Sequence, residues 1–279
     1  MNIYIIGLGL IGSSIARAVK KNNLKHKVFG FDENDDAVHF SLKENIIDEV
    51  FSIQDISDTQ NSQSLIIIAA SPIASADILK GLRELFNQNH VVITDVCSVK
   101  SHMLNALNGL DAPNLVLSHP MAGSHKSGVE SGVEDLFDQK KVLISSVHSS
   151  NHALEIVESF WHALGAHTLR INAEDHDELL SATSHLPHVF VYALLQFLKD
   201  KGISNLSEVS GGGLKSLLRI GSSSPQMWSD IFLLNKKNVL QDIDALVSAL
   251  GNLKTAINND PQTLKNILQT LKAYKDNQT

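Results

Sequence analysis

Three sets of side chains in this 279-residue chain could do chemistry together: a glycine-spaced turn followed by an acid, polar residues at the ends of apolar runs, and a few cations in an acidic background. Gly7, Gly9 and Gly12 follow the apolar run at residues 3–6, and Asp32 closes the next apolar run, 20 positions after Gly12. A strand explains the first run, and Gly7 allows a tight turn after it. Gly9 lets the backbone approach a pyrophosphate, and Gly12 lets the following helix pack close to its strand. A diphosphate fits where that helix exposes unpaired N–H groups and the positive end of its dipole. Asp32 is then spaced to accept hydrogen bonds from an adenosine ribose and would repel a 2′-phosphate, which favours NAD over NADP. The candidate cofactor residues are Gly7, Gly9, Leu10, Ile11, Gly12 and Asp32.

A nicotinamide enzyme needs a base for a substrate hydroxyl, and positive groups wherever its substrate is anionic. Three segments offer them. Asp95-Val96-Cys97-Ser98-Val99-Lys100 stands at the carboxyl end of one expected strand, and His119-Pro120-Met121-Ala122-Gly123 follows the next. Ligands of open α/β sheets bind beyond strand carboxyl ends, so both segments point to the cofactor crevice. The third lies in the later half, where Ser184-His185-Leu186-Pro187-His188 precedes Gly211-Gly212-Gly213-Leu214-Lys215 and Arg219.

At these segments the chain resembles the prephenate and arogenate dehydrogenases of tyrosine biosynthesis. The resemblance rests on G-L-G-L-I-G from Gly7, D-V-C-S-V-K from Asp95, H-P-M-A-G from His119, S-H-L-P-H from Ser184, G-G-G-L-K-S-L-L-R from Gly211 and P-Q-M-W-S-D-I from Pro225. It implies NAD-dependent oxidative decarboxylation of a cyclohexadienyl substrate: prephenate, with arogenate as the alternative. It also implies that His119 is the base, a role suited to an imidazole with a near-neutral pKa. Ser98 would hydrogen-bond that histidine or the substrate hydroxyl. Arg219 would hold a carboxylate, that of the ring by preference, and His185, His188 and Lys215 would line the side-chain end. Trp228 is expected to pack near these helices, mostly as core.

Plainer readings compete at several positions. Ser98 suits a helix N-cap, and Lys100 is expected to begin a solvated helix rather than approach the cofactor. His185 and His188 share a helix face without a further ligand set, so no metal is expected. Cys97 has no adjacent base to make it a nucleophile. Relatives often carry acids at the places of His125 and Ser216, which puts an ion-pair gate in doubt here. A β-hydroxyacid dehydrogenase would use a lysine after a glycine-rich stretch and an asparagine one turn later, where this chain has Arg219. A non-catalytic NAD-sensing module is the remaining alternative.

The elements that must position these groups follow from periodicity. Apolar runs at 65–70, 91–94, 115–118 and 142–144 alternate with helical stretches such as 74–86, and 167–171 suits a last strand. The fold class expected is α/β: an amino-terminal Rossmann-type, doubly wound, mostly parallel sheet in residues 1–172, then an all-α domain in residues 173–279. Long helices are expected at 228–250 and 261–274, with a kink at Pro187. Val239, Ile243, Leu246, Val247, Leu250 and Leu253 recur at helical spacing, more apolar face than a small bundle buries, so a homodimer through these helices is expected. A net charge of −7 offers no general attraction to nucleic acid or an anionic membrane. No apolar stretch reaches the roughly 20 residues of a membrane span, and the single cysteine suits a reducing cytoplasm.

Overall fold

The computed structural model describes residues 1–58, 62–124, 126–146, 148–259 and 261–278. His125 lies outside them. The chain divides into two compact units, Met1–Asn235 and Lys236–Thr279.

The first unit is built on an eight-stranded sheet in the order β3-β2-β1-β4-β5-β6-β7-β8. The strands are β1 (Asn2–Ile6), β2 (Lys27–Phe31), β3 (Glu49–Val50), β4 (Ser64–Ile68), β5 (Val91–Asp95), β6 (Leu115–Pro120), β7 (Lys141–Ser146) and β8 (His167–Arg170). The first six run parallel, β7 pairs antiparallel with β6, and β8 runs parallel to β7. Every residue of β4 and β5 is buried, as helices on both sheet faces require. Alternation along β1 sends Ile3 and Ile5 into one core, with Ile15 and Trp161, and Tyr4 and Ile6 into the other, with Leu79 and Phe86. The two exposed residues of β3 form no apolar run, so periodicity does not announce that strand. The chain order reverses between β1 and β4, and the crevice opens there, beyond their carboxyl ends.

Helices α1 (Leu10–Lys21), α2 (Asp35–Lys43), α3 (Pro72–Gly81), α4 (Lys100–Leu107) and α5 (Asn151–Ala163) connect these strands. After β8 the unit is helical: α6 (Ala173–Leu180), α7 (Leu186–Asp200), α8 (Leu206–Val209), α9 (Gly212–Leu218) and α10 (Pro225–Leu234). Between α6 and α7 lies a π-helical turn, Ser181–His185. Pro187 stands in the first turn of α7, where its missing N–H costs little. The irregularity expected at Pro187 is therefore this wide turn, which ends just before it.

The helix expected over 228–250 is two helices. Alpha-helical structure stops at Asn235, whose side-chain amide donates to the Asp177 carbonyl at 2.8 Å, and resumes as α11 (Lys236–Asn259). Tertiary anchoring of one side chain overrides the local periodicity. The second unit holds α11 and α12 (Pro261–Asp276). Of its expected apolar face Val239 is buried, Ile243, Leu246 and Leu253 are half-buried, and Val247 and Leu250 are exposed. Ile257, Leu268, Leu271 and Tyr274 are exposed as well. Among the described residues no helix is long and apolar enough to cross a membrane.

Candidate active site

The glycine turn between β1 and α1 has little freedom. Gly7 has φ +102°, and a Cβ there would stand 2.6 Å from the Ala69 carbonyl oxygen, while one on Gly12 would stand 1.9 Å from the Gly7 oxygen. A Cβ on Gly9 would meet nothing within 4 Å. The turn is thus packed tightly behind and open in front, as a cradle for a ligand backbone must be. Gly9 caps α1 without a side chain, and the first turn of α1 carries no acid, so its free N–H groups can receive an anion. Asp32, half-buried at the end of β2, accepts the Leu8 N–H through Oδ2 at 2.6 Å and the Asn34 N–H through Oδ1 at 2.9 Å. These bonds hold the carboxylate beside the turn and leave lone pairs for a ribose. A cavity of about 540 Å³ runs from Gly9 past Ala69 and Ser71 to Ser98 and Gln226. The open N–H groups at Gly9, Leu10 and Ile11 in its wall, with Asp32 held at the glycine turn outside that lining, fit a dinucleotide.

A second cavity of about 400 Å³ adjoins it, sharing Leu10, Ile11, Val96 and Ser98 as walls. His119, at the end of β6, lines this cavity. Its Nδ1 lies 2.9 Å from His176 Nε2, and His176 Nδ1 lies 2.8 Å from Asp177 Oδ1. Asp177 in turn accepts the backbone N–H groups of Lys100 and Ser101, each at 2.8 Å, and so caps α4 from 77 residues away. Because an ionised carboxylate only accepts, it assigns the tautomers along the chain. His176 donates from Nδ1 and accepts at Nε2, so His119 donates from Nδ1 and its Nε2 is left without a proton. A histidine held in that form is a ready general base.

Electrostatics keep it so. Burial pushes the His119 pKa well below the usual 6.5, and His176, Lys100 and His185 add to the shift. Burial also lowers His176, partly offset by its bond to Asp177. Burial alone would raise Asp177, yet its bonds to His176, Ser101 and Lys100 outweigh that and hold it below the ordinary carboxylate range.

His176 and Asp177 were not among the expected site residues. Asn172 caps α6 by accepting the Asp175 N–H at 2.8 Å, and the buried face of α6 then reads Ala173, His176, Asp177, Leu180. Two polar residues on an apolar face were the available signal, because buried polar groups need partners.

Lys100 departs from expectation. It begins α4 but is fully buried, paired with Asp95 Oδ2 at 2.5 Å and donating to the Ser118 carbonyl at 2.7 Å. Ser98 lines both cavities and does not cap α4; Val99 occupies that position and Asp177 serves the helix donors. Burial drives the Cys97 thiol up to about 12, which suits an inert core residue.

The helical side of the cavity comes from the π-helical turn, α7 and the segment after α9. His185 is buried there, with Nδ1 3.1 Å from Asn235 Nδ2. His188 donates from Nδ1 to the Ser184 carbonyl at 2.9 Å and stacks on Trp228 with ring centroids 3.5 Å apart. Trp228 is both core and wall, buried yet lining the cavity. Arg219 is exposed and lines the same cavity as His119, His185 and His188. Lys215 is exposed and is not part of that lining, and Ser216 is exposed beside it. No group of three or more potential metal ligands occurs among the described residues.

This cleft can be set beside those of known proteins. Residues 15–170 match a family model described as the nucleotide-binding domain of prephenate dehydrogenase, and residues 172–273 match its dimerization domain. The prephenate dehydrogenase of Bacillus subtilis is 32% identical over 98% of this chain and 75% of its own length. The cyclohexadienyl dehydrogenase of Zymomonas mobilis is 32% identical over 92% of this chain and 88% of its own. A prephenate dehydrogenase of Aquifex aeolicus, solved with hydroxyphenyl propionate and NAD+, superposes with a TM-score of 0.90 at 30% identity, covering 100% of this chain and 98% of that one. Similarity of this extent runs through both the glycine cradle and the helical wall: the chain belongs to the prephenate dehydrogenase family.

Proposed function

We propose that this chain converts prephenate to 4-hydroxyphenylpyruvate with NAD, a step of tyrosine biosynthesis, and that His119 is the base. It is an NAD-dependent oxidoreductase. The observation that carries the base assignment is the Asp177–His176–His119 chain, which leaves an unprotonated imidazole nitrogen on a residue of the cavity that Arg219 also lines.

NAD, when bound, would supply a hydride acceptor for the ring carbon that bears the hydroxyl. The rest falls to the protein. His119 accepts the hydroxyl proton at Nε2, and the new positive charge is stabilised through His176 by the Asp177 carboxylate. Such a positioned base contributes about 10²- to 10⁴-fold. Carbon dioxide leaves as the ring becomes aromatic. Ser98, which lines both cavities, would hold the hydroxyl. Arg219 binds a carboxylate with a permanent, two-pronged charge. His185 and His188 border the side-chain end with Trp228; Lys215 would act from outside the lining. Asp32 and the cradle of Gly7, Gly9, Leu10, Ile11 and Gly12 hold the dinucleotide.

The division at Asn172 separates the cofactor-binding part from the helical part, supported by the limits of the two family matches. The match to a dimerization domain and the exposed apolar residues of α11 and α12 support a homodimer through the helical part. A buried lone cysteine accords with the cytoplasm. With His125 undescribed and Ser216 uncharged, no ionic gate is assigned.

Purified protein with NAD and prephenate should raise absorbance at 340 nm, and His119→Asn should lower kcat about 10²- to 10⁴-fold while NAD affinity stays nearly unchanged. No reduced cofactor from the unmodified protein at neutral or mildly alkaline pH would overturn the reaction. Normal turnover by the variant would overturn the base. Arogenate tried in parallel resolves the substrate preference.

A further inference from the structure

Lys100 is a buried charge that the chemistry above leaves unused. Both it and Asp95 are fully buried, and a buried ion pair is poor evidence of a stability role, since well-packed apolar residues often replace one at no loss. What the pair touches is more informative. The Lys100 ammonium donates to the carbonyl oxygen of Ser118, the residue before His119, at 2.7 Å. The Ser118 N–H donates to Asp95 Oδ1 at 3.1 Å, and the Ser118 hydroxyl donates to the Asp95 carbonyl at 2.5 Å. Both backbone groups of Ser118 are therefore tied to the pair. The backbone N–H of Lys100, meanwhile, donates to Asp177 Oδ1, the atom that also holds His176.

We infer that Lys100 is a positioning residue for the base: its side chain fixes the strand end that carries His119, and its main chain fixes the carboxylate at the far end of the same relay. One residue thereby sets both ends of a three-member chain whose links are 2.8 and 2.9 Å long. The inference rests on the reading of His119 as base. The groups that face His119 are His176 and Asp177 from α6, His185 from the π-helical turn, and Lys100 with Asp95 from α4 and β5, while Arg219 lines the same cavity. Among these the Lys100 ammonium is a fixed cation that opposes protonation of His119, in the same direction as burial. It therefore helps to keep the base free as pH falls.

The test removes the charge in two ways. Lys100→Met alone strands Asp95 in the core, so the double variant Asp95→Asn with Lys100→Met is compared with it. Each is measured for folding by circular dichroism, for NAD affinity by fluorescence titration, and for kcat and KM against pH. Expected for the double variant are a native fold, NAD affinity and prephenate KM within about two-fold of the unmodified protein, and kcat lower by about ten-fold or more. In Lys100→Met, which loses the cation and keeps Asp95, the acid limb of the kcat/KM profile moves upward. A folded double variant with unaltered kcat would overturn the inference. Failure of both variants to fold would overturn it too, by assigning the pair to stability alone. His119→Asn, run alongside, separates the two readings: if it keeps its turnover, the base assignment has failed, whatever the Lys100 variants do.

Discussion

Replacing His176 by leucine isolates the middle of the relay. Leucine keeps the volume of a fully buried side chain, and Asp177 retains its two backbone donors on α4. Helix α6 should therefore stay docked. What disappears is the acceptor 2.9 Å from His119 Nδ1. In the neutral enzyme the His119 tautomer is no longer assigned, so part of the population carries its proton on Nε2 and cannot act. Once His119 has taken the substrate proton, its Nδ1–H lacks a charge-assisted hydrogen bond, the kind worth about 1.5–3 kcal/mol. At about 1.36 kcal/mol per factor of ten, that loss corresponds to roughly a 10- to 150-fold decrease in kcat. NAD affinity should hold, because the glycine cradle and Asp32 lie elsewhere in the cleft. Initial rates at 340 nm with both substrates saturating supply kcat, and fluorescence titration supplies the NAD Kd. His176→Gln, whose side-chain oxygen can accept from Nδ1–H, should recover a large part of the rate. A leucine variant within about three-fold of the unmodified kcat, or a glutamine variant no faster than the leucine one, would refute the relay.

Four further outcomes are expected. Arg219→Ala should raise the KM for prephenate about 10- to 150-fold through loss of a charged hydrogen-bonding partner, with a smaller change in kcat; steady-state kinetics would expose an unaltered KM. Gly12→Ala places a methyl 1.9 Å from the Gly7 oxygen, so NAD affinity should fall by at least about ten-fold, and normal affinity by calorimetry would mean that the turn can relax. Val247→Asp combined with Leu250→Asp on α11 should yield monomers in sedimentation velocity if those exposed residues form the subunit contact. The pKa values of His119, His176 and His188 all lie below the usual 6.5, with burial as the first cause, so the unfolded chain takes up protons before the folded one does. Their contribution to stability is complete above about pH 6.5 and declines as pH falls from there through the folded-state values, by up to about 1.4 kcal/mol per group and pH unit; thermal melts between pH 8 and 5 should show the decline.

Much of the site was legible in the chain because chemistry and local folding ask for the same residues. The spacing of Gly7, Gly9, Gly12 and Asp32 prescribes a strand, a turn, a helix and a second strand, and the structure has each of them. The His119 and Ser98 segments lie at and just beyond the strand carboxyl ends, where a doubly wound sheet puts its crevice, and both line the cavity. Lys100 misled because a lysine at a helix start is usually solvated; only the packing of α4 beside β6 made it a buried donor. The uninterrupted helical pattern after Trp228 misled for a similar reason, since the hydrogen bond that interrupts it at Asn235 reaches back 58 residues.

Local composition by itself therefore determined the α/β alternation, the dinucleotide turn and the helical second half, because turn geometry and side-chain periodicity are short-range properties of a chain. The tertiary structure alone decided that His176 and Asp177 form a hydrogen-bonded chain to His119, that Asp177 caps a helix 77 residues earlier, and that His119 and Arg219 line one cavity. Those relations depend on which buried polar groups meet when α6 docks on α4 and β6. Desolvation forces each such group to find a partner, but which partner it finds is set by packing.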